Sequence, residues 1–451
     1  MRAEPLAATA GPLAAARLRR GQSLTMILLI VGYGGYYLCR SNLSVATPLM
    51  MDDIAEMGGD GEASRDRLGK IASLGTLAYA IGKFFSGVLG DIQGGRRNFL
   101  TGMGGTVVFT ALLAVGPGSP LFALSWLGNR LVQSMGWVGI VKIASRWFDF
   151  RTSGGAMAVI SLSYLFGDAA SRAFMGVLIH FGMGWRGLFL TCAGVLAVIF
   201  VACSRYLKES PREIGADEGM ANPLNIFGPE GQDAEPTRYT ALIASLLSNR
   251  AFLYVCLLSL TTTLMRETFN TWSPTYFKEV VHLSVWEAAI TSALFPLVGG
   301  VSVLLAGFAS DRLGPYGRAG LLVLGLATTG VALWFLGCLP ARVGSAWPIF
   351  LVTMVGFLLI GPYSYLGGAI ALDFGGKRGS STACGIIDGT GYLAAVLAGD
   401  GIARAVKGMG WGMTFSWLAI TSWASSLVAC LLLWELYRKR NARGRSAPDR
   451  P

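Results

Sequence analysis

Long apolar runs, each about the length of one membrane crossing, recur along this whole chain. A helix needs roughly 17–25 apolar residues to cross a bilayer, and the sequence predicts twelve such segments, separated by polar stretches. They lie at 24–51, 67–90, 98–116, 121–145, 154–180, 187–207, 251–277, 284–309, 319–339, 346–371, 380–405 and 412–437. The pattern predicts an all-α integral membrane protein with twelve transmembrane helices, numbered here as spans 1 to 12.

The composition fits a chain immersed in lipid. Of its 451 residues, 53% are hydrophobic and 14% are charged, whereas soluble domains carry roughly 25% charged residues. The apolar run after the basic N-terminus is long enough to span and lacks a small-residue cleavage site, so we expect the first membrane helix there rather than a removed signal peptide. The cysteines show no CxxC spacing and the two histidines stand singly, so we expect neither a metal site nor a cofactor.

The basic residues are distributed unevenly between the two sides of the predicted helices. The tails and the loops after even-numbered spans hold 23 of the 37 lysines and arginines, the loops on the other side hold seven, and seven lie within spans. By the positive-inside rule, this asymmetry predicts a multi-pass protein of the cell (inner) membrane with both termini in the cytoplasm. The net charge of +11 therefore reports topology, and we expect no nucleic-acid partner.

The two halves of the chain repeat short motifs at a common offset. Gly-Met-Gly-Trp occurs at 182–185 and again at 408–411, 226 positions later. Tyr164 and Tyr392, each followed by leucine, are 228 positions apart. Such self-similarity indicates duplicated structural units, here two pseudo-symmetric six-helix bundles. The expected division is a cytoplasmic tail at 1–22, a first bundle at 23–207, a cytoplasmic linker at 208–248, a second bundle at 249–437 and a basic cytoplasmic tail at 438–451.

Related glycine–aspartate loops follow spans 2 and 8. Residues 87–97 read Gly-Val-Leu-Gly-Asp-Ile-Gln-Gly-Gly-Arg-Arg, and residues 307–318 begin Gly-Phe-Ala-Ser-Asp-Arg. Glycines permit a tight turn, while an aspartate can cap a helix N-terminus and pair with an arginine across the bundle interface. The loop and the layout resemble the major facilitator superfamily over the whole chain. A gating or structural role is expected for Asp91, Arg96, Arg97, Asp311 and Arg312.

Charges inside spans cost free energy and mark function; the cations concerned are Arg40, Lys83, Arg130, Lys142, Arg172, Arg266 and Arg404. Arg40 in span 1 and Arg266 in span 7 both lie about eleven residues from the outer end of their span, which is roughly 16 Å deep in a ~30 Å core. They are 226 positions apart, so the repeat predicts matching depth on opposite bundles, at the midplane where such transporters bind substrate.

Two guanidiniums facing one cavity indicate a multivalent oxyanion, because each can donate a planar pair of hydrogen bonds. The alternative is that each arginine pairs privately with a carboxylate. Glu267 stands beside Arg266, but adjacent helix positions point about 100° apart. We therefore favour the shared oxyanion.

Motifs in four spans resemble a narrower family, the organophosphate:phosphate antiporters. Tyr-Tyr-Leu-Cys-Arg-Ser-Asn at 36–42 resembles that family's first-helix motif, and 78–84 resembles its second-helix segment ending in Lys-Phe. Arg266 followed by Trp-Ser-Pro-Thr-Tyr at 272–276 resembles the seventh helix, and Gln-Ser-Met-Gly-Trp at 133–137 resembles the fourth. The resemblance implies that the substrate phosphate is held by Arg40 and Arg266, with Lys83, Tyr79 and Tyr37 nearby.

The chain departs from the glycerol-3-phosphate transporters of that family at three positions. Tyr164 stands where they carry a histidine, Glu267 where they carry an aromatic residue, and Thr271 where they carry a carboxylate. These departures leave the organic part of the substrate open. Because histidine changes charge near neutral pH and tyrosine does not, we expect a different pH response.

Two carboxylate–cation pairs have the i,i+4 spacing that places both partners on one helix face. For Asp168 and Arg172 in span 5 we favour internal neutralisation over a substrate role. Asp400 and Arg404 in span 11 resemble a carboxylate–cation pair in helix eleven of hexose-phosphate transporters, which favours a sugar phosphate.

Two further residues of span 11 are candidates for substrate binding. Asp388 has no obvious partner in sequence, so we expect it to meet a substrate hydroxyl or a distant cation. Tyr392, the repeat mate of Tyr164, is a candidate hydrogen-bond donor in the cavity.

The predicted function is secondary active transport by alternating access, in which a phosphorylated metabolite (a sugar phosphate, glycerol-3-phosphate or phosphoglycerate) exchanges for inorganic phosphate. The expected partners are these two substrates and membrane lipid, and the expected functional unit is a monomer. Two alternatives stay open: a transporter-shaped receptor that senses a sugar phosphate, and a facilitator-type carboxylate carrier. An enzyme is the least favoured class, since no phosphate-binding loop or catalytic triad is present.

Overall fold

The computed structural model describes residues 12–56, 61–114, 120–233, 238–340 and 344–445. Across these residues the chain forms helices, turns and loops, without a β-strand. Twelve helical segments in this described part of the chain correspond to the twelve predicted spans, and they assemble as two bundles of six.

The first bundle contains spans 1 to 6. Span 1 is broken, because helix Pro12–Leu38 stops and helix Asn42–Glu56 begins after three non-helical residues. Spans 2 to 6 are Gly61–Gln93, Gly95–Leu113, Pro120–Trp147, Ser153–His180 and Trp185–Tyr206. The break in span 1 places Arg40 outside regular helix.

The second bundle contains spans 7 to 12. Span 7 is Arg250–Glu279, which follows the short helix Tyr239–Leu247 across a bend of 81°. Span 8 runs from Val285–Ser292 into Leu294–Gly337, and span 9 forms the rest of that helix after a break at Gly314. Span 10 begins with Ala346–Tyr365 and continues through the π-helical turn Leu366–Ile370. The long helical segment Ala371–Arg445 contains the end of span 10, followed by spans 11 and 12. Breaks at Gly376 and Gly410, both with positive φ, separate these last spans, since glycine adopts this conformation without strain.

Hydropathy alone finds fewer crossings than the fold contains. Among the described helices, seven are long and apolar enough to cross a membrane, or eight if the bent pair that includes span 7 counts as one. One of these apolar runs, 346–399, contains both spans 10 and 11. Spans 3 to 5 are not among these apolar runs. Charged residues within these helices include Arg96 in span 3, Arg130 in span 4 and Asp168 in span 5.

Two glycine contacts close the bundles against each other on the face that carries residues 208–233, which we call the linker face. Span 2 meets span 11 where a Cβ added to Gly385 would lie 2.8 Å from the Cα of Gly87. Span 5 meets span 8 where a Cβ added to Gly307 would lie 2.9 Å from the carbonyl oxygen of Gly154. Any larger side chain at these positions would separate the helices.

Two aspartates cap helices across the same interface. The carboxylate of Asp91, in span 2, accepts hydrogen bonds from the backbone N–H groups of 381–382 at 3.3 and 2.7 Å. The carboxylate of Asp311, in span 8, accepts them from the N–H groups of 154–155 at 2.8 and 2.6 Å. Each aspartate therefore compensates the positive end of a helix in the other bundle, as a capping residue does.

The cations beside these aspartates differ from the predicted pattern. Lys142 of span 4 lies 2.8 Å from Asp91 and belongs to the same bundle, so the expected arginine partner across the interface was wrong. Arg318, fully buried, lies 3.5 Å from Asp311 and also pairs with Asp373. The sequence motif identified the aspartates but could not show which of many basic residues would reach them.

The three remaining basic residues of the two loops lie outside these inter-bundle contacts. Arg96 donates hydrogen bonds to the carbonyl oxygens of Leu207 at 2.6 Å and Ser204 at 2.5 Å, at the C-terminal end of span 6. A basic side chain there satisfies carbonyl groups that lack helical partners. Arg97 and Arg312 are exposed.

Part of the predicted linker lies across the linker face and contacts both bundles; we call residues 218–230 the linker strap. Glu218 lies 2.7 Å from Arg146 of the first bundle and 3.2 Å from Lys377 of the second. The Ile226 N–H donates to the carbonyl oxygen of Phe374 at 2.9 Å. The strap therefore joins the two bundles beyond the membrane-spanning helices.

We predict that Gly307→Leu prevents closure of the linker face, because the added side chain would separate spans 5 and 8. The protein should then occupy the conformation described here less often. A cysteine introduced at Thr76, in the cavity described below, should react more slowly with a maleimide in purified protein. The background would carry Ser in place of the exposed Cys338 and Cys430.

Gly320→Leu is the matched control, because no described atom lies within 4 Å of a Cβ built at that position. It should leave the labelling rate unchanged. Equal rates in the Gly307 and Gly320 variants would contradict the proposed role of the glycine contact.

We also predict that Glu218→Gln lowers the melting temperature by several degrees at neutral pH. Burial opposes ionisation of Glu218, but the hydrogen bonds and charge of Arg146 and the charge of Lys377 outweigh it and lower the pKa of this carboxyl. Its contribution to stability is therefore present above the ordinary glutamate pKa and lost as the pH falls through the lowered value. The melting curves of wild type and variant should converge in acid.

Asp217→Asn removes one negative charge from the neighbouring, exposed position and serves as the control. A constant difference between wild type and Glu218→Gln down to acid pH would show that the strap is held by something other than this carboxylate.

Candidate functional site

A cavity of about 1140 Å³ lies between the two bundles. Its walls come from spans 1, 2, 4 and 5 on one side and spans 7, 8, 10 and 11 on the other. Thr271 and Ser292 line it on the parts of spans 7 and 8 that are remote from the linker face. Since the glycine contacts close the opposite end, the cavity has access from one face, which we call the open face.

Arg40 lies in this cavity at the break in span 1. Its guanidinium donates to the hydroxyls of Tyr79 at 3.3 Å and Tyr392 at 3.4 Å, the second of which belongs to the other bundle. The guanidinium carbon also lies 4.5 Å from the ring centroid of Tyr79 and 5.1 Å from that of Tyr37. Aromatic faces stabilise a cation without neutralising it, so the positive charge stays available to a ligand.

Arg266 lines the same cavity from span 7, as the repeat predicted, but its contacts differ from those expected. Its guanidinium is hydrogen-bonded to the carboxylate of Glu267 and lies 4.4 Å from the ring centroid of Tyr363. The private pair, which we did not favour, is therefore present in the described conformation, and the shared oxyanion stays a prediction. Adjacent Cα–Cβ bonds do point apart, but the long arginine side chain bends back to the nearest carboxylate.

Lys83 and Asp388 form a buried ion pair that joins the bundles. The Lys83 ammonium, with 1% of its side chain exposed, lies 2.9 Å from Asp388, which is 12% exposed. Asp388 thus meets the distant cation that was one of its two expected partners. The charge of Lys83, expected to lie near the substrate phosphate, is compensated in this conformation.

Tyrosine hydroxyls provide most of the remaining polar lining. Tyr37, Tyr164, Tyr363 and Tyr392 all line the cavity. The Tyr164 hydroxyl is buried and has no hydrogen-bond partner among the described residues. Ser161, which also lines the cavity, is the side chain beside it.

The i,i+4 pair of Asp168 and Arg172 lies at the mouth of the cavity. The Arg172 Nε is 3.0 Å from Asp168, and the two side chains are 52% and 38% exposed. The pair neutralises itself, as we favoured. The side chain of Asp400 lies outside the described residues, so its pairing with Arg404 stays a prediction.

Sequence reasoning left one cavity cation, Arg130, without a role. It lines the cavity from span 4. The only signal in the sequence was its charge inside a predicted span, which it shared with six other residues. Tyr363 lines the cavity as well, but no motif or charge in the sequence marked it as a candidate.

The charges that line the cavity do not balance. Five cations, Arg40, Lys83, Arg130, Arg172 and Arg266, face three carboxylates, Asp168, Glu267 and Asp388. The three carboxylates pair with Arg172, Arg266 and Lys83, respectively. Among the described residues, Arg40 and Arg130 have no carboxylate partner, so the cavity has an excess of two positive charges.

Comparison with known proteins establishes the class. The family model of the Major Facilitator Superfamily matches residues 29–399, and the chain belongs to this superfamily. The predicted fold class of twelve helices in two pseudo-symmetric bundles is confirmed. A solved structure of a facilitator transporter, FucP, has a TM-score of 0.68 and covers 92% of this chain and 99% of its own, at 12% identity. At that identity the likeness shows the fold alone.

Two curated relatives narrow the class. A probable hexose phosphate transport protein of Chlamydia muridarum is 28% identical over 426 residues, 91% of this chain and 88% of that protein. The membrane sensor protein UhpC of Salmonella typhimurium is 27% identical over 425 residues, 92% of each. The predicted resemblance to the organophosphate:phosphate antiporter family is confirmed, and the chain is a multi-pass membrane protein.

We predict that Asp388→Asn strongly destabilises the protein, because it leaves the buried Lys83 ammonium uncompensated. Removal of one partner from a buried pair costs about 3–5 kcal/mol. The double variant Lys83→Gln/Asp388→Asn should recover most of this loss. The apparent melting temperature of the purified protein measures both effects.

Asp168→Asn is the control, because its partly exposed pair should contribute less than about 1 kcal/mol. If Asp388→Asn and Asp168→Asn lowered the melting temperature equally, the Lys83–Asp388 pair would have no special structural role.

Proposed function

We propose that this chain exchanges a phosphorylated metabolite for inorganic phosphate across the membrane by alternating access. The observation that carries the proposal is the unbalanced charge of the central cavity, where Arg40 and Arg130 lack carboxylate partners among the described residues. An excess of two positive charges suits a phosphate monoester, which carries about −1.5 to −2 at neutral pH.

The polar lining supports a hydroxylated organic group on that phosphate. Tyr164 lines the cavity from the first bundle, and Tyr363 and Tyr392 line it from the second. Asp388 and Glu267 supply carboxylate oxygens that can accept from hydroxyl groups. Together with the hexose phosphate relative, this favours a sugar phosphate.

The mechanism follows from the contacts that the phosphate would change. A phosphate bound to Arg40 attracts Arg266, and it competes with Glu267 for that guanidinium. Once both arginines hold the phosphate, it draws the bundles together at the open face. The glycine contacts and aspartate caps of the linker face then separate, and the cavity opens there. Inorganic phosphate presents the same oxyanion and drives the return step.

The membrane orientation and the functional unit belong to the same proposal. The excess of lysine and arginine in the even-numbered loops supports a cytoplasmic linker face. In this proposal the described conformation therefore faces outward from a cell (inner) membrane. Because one chain supplies both walls of the cavity, a monomer suffices for transport.

A second candidate function is supported by the sensor relative: binding of a sugar phosphate without transport, coupled to a signalling partner. The same cavity would serve it. Cells that express this chain alone would separate the two, since a transporter accumulates labelled hexose phosphate and a sensor does not.

We predict that Arg40→Lys and Arg266→Lys each reduce phosphate exchange in proteoliposomes at least about 100-fold, because an ammonium cannot replace a planar two-point donor. The assay is counterflow of labelled phosphate into vesicles loaded with unlabelled phosphate. A panel of phosphate esters as competitors would identify the organic group.

Arg205→Lys, at an exposed position near the end of span 6 and outside the cavity lining, is the matched control and should retain exchange. Undiminished exchange in either cavity variant, with normal folding, would refute the assignment of that arginine. Competition by carboxylates but not by phosphate esters would instead favour a carboxylate carrier.

A further inference from the structure

Arg130 is a buried cation that faces the substrate cavity. The residue is 8% exposed. Its guanidinium carbon lies 4.9 Å from the ring centroid of Tyr79 and 5.7 Å from that of Trp126. A cation in this environment is costly unless it has a partner, and the described residues offer it aromatic rings and an amide but no carboxylate.

Neighbouring residues fix the position of Arg130 relative to Arg40. Arg130 Nη1 donates to Gln133 Oε1 at 3.3 Å, and Gln133 Nε2 donates to the carbonyl oxygen of Cys39 at 3.1 Å. Cys39 directly precedes Arg40 at the break in span 1. Span 2 leaves room for the arginine stem, since a Cβ added to Gly75 would lie 3.1 Å from Arg130 Cγ. Gln133 therefore holds the two arginine-bearing helices in register.

Arg40 and Arg130 share one aromatic ring. Their guanidinium carbons lie 4.5 and 4.9 Å from the centroid of Tyr79, so the two cannot be further apart than about 10 Å. Like charges this close repel in a low-dielectric interior, and an anion between them removes that repulsion. The Tyr79 hydroxyl accepts a hydrogen bond from Arg40, so it also lies beside this pair of arginines.

Arg266 is less available than this pair in the described conformation. Its guanidinium is already hydrogen-bonded to Glu267, whereas neither Arg40 nor Arg130 must first leave a carboxylate. For an anion that enters from the open face, the cations without a carboxylate partner among the described residues are therefore Arg40 and Arg130, both on the first bundle.

We infer that Arg40, Arg130 and the Tyr79 hydroxyl form an oxyanion subsite on the first bundle, and that Arg130 is a direct ligand of the substrate phosphate there. The inference rests on the proposed function and adds a third arginine to the predicted pair. The ligand class is a dianionic phosphate, free or esterified. A monoanion compensates only one of the two charges and binds more weakly.

The test measures binding of inorganic phosphate to the purified full-length chain in lipid nanodiscs by isothermal titration. Arg130→Gln should weaken binding about 10- to 100-fold, the usual loss for a charge-assisted hydrogen bond. Arg130→Lys, which keeps the charge but loses the planar fork, should recover part of it. Arg186→Gln also removes one positive charge, but at the start of span 6 and outside the cavity lining, and it should bind as wild type does.

A second measurement separates a ligand from a merely structural residue. Wild-type affinity should rise between about pH 6 and about pH 8, as phosphate loses its second proton. Arg130→Gln should lose most of that rise while its melting temperature stays near that of wild type. If Arg130→Gln fails to fold, Arg130→Lys carries the test by the same two readouts.

The outcomes distinguish this inference from the proposed function. Failure of the wild-type chain to bind phosphate or a phosphate ester would refute both. Wild-type binding with affinity and pH dependence unchanged in the Arg130 variants would overturn the subsite alone, and leave the phosphate to Arg40 and Arg266.

Discussion

A charge inside the membrane must be compensated, and this requirement organises the molecule. Removal of an ion from water costs several kcal/mol unless partners replace the lost hydration. At the linker face the partners are aspartates, which pair with Lys142 and Arg318. At the centre Asp388 compensates Lys83. Paired charges therefore surround a cavity whose lining has more positive than negative charges. This net positive charge favours an anionic ligand.

The repeat in the sequence produces two equivalent sets of contacts between the bundles. Asp91 and Asp311 each cap a helix of the opposite bundle, and each lies near a glycine contact between two helices. Both aspartate caps and both glycine contacts lie on the linker face, so the proposed opening of that face would break all of them together. The linker strap adds a contact that the repeat does not duplicate. The closed linker face is therefore stabilised by two equivalent sets of contacts, the aspartate caps and glycine contacts, and by the linker strap, which occurs once.

Sequence reasoning could reach what depends on local pattern and on the repeat. The apolar runs predicted the spans, and the common offset led from Arg40 to Arg266, which line one cavity. The pairing of Lys83 with Asp388 lay beyond it, because these residues are 305 positions apart and meet only through the rotation of two helices in different bundles. The contact of Arg266 with Glu267 was missed for the opposite reason: a rule for Cβ directions does not describe the end of a flexible side chain.

In the proposed exchange, Glu267 competes with the substrate phosphate for Arg266. A carboxylate attached to the neighbouring residue is present at a high effective concentration, and no dilution removes it from Arg266. Solution anions must displace it, and a monoanion offers no more charge than the glutamate already does. A phosphate dianion that also binds to the first bundle would gain enough binding free energy to replace Glu267 at Arg266. In that mechanism the tethered carboxylate would set a minimum binding free energy for closure, which weakly bound anions would not supply.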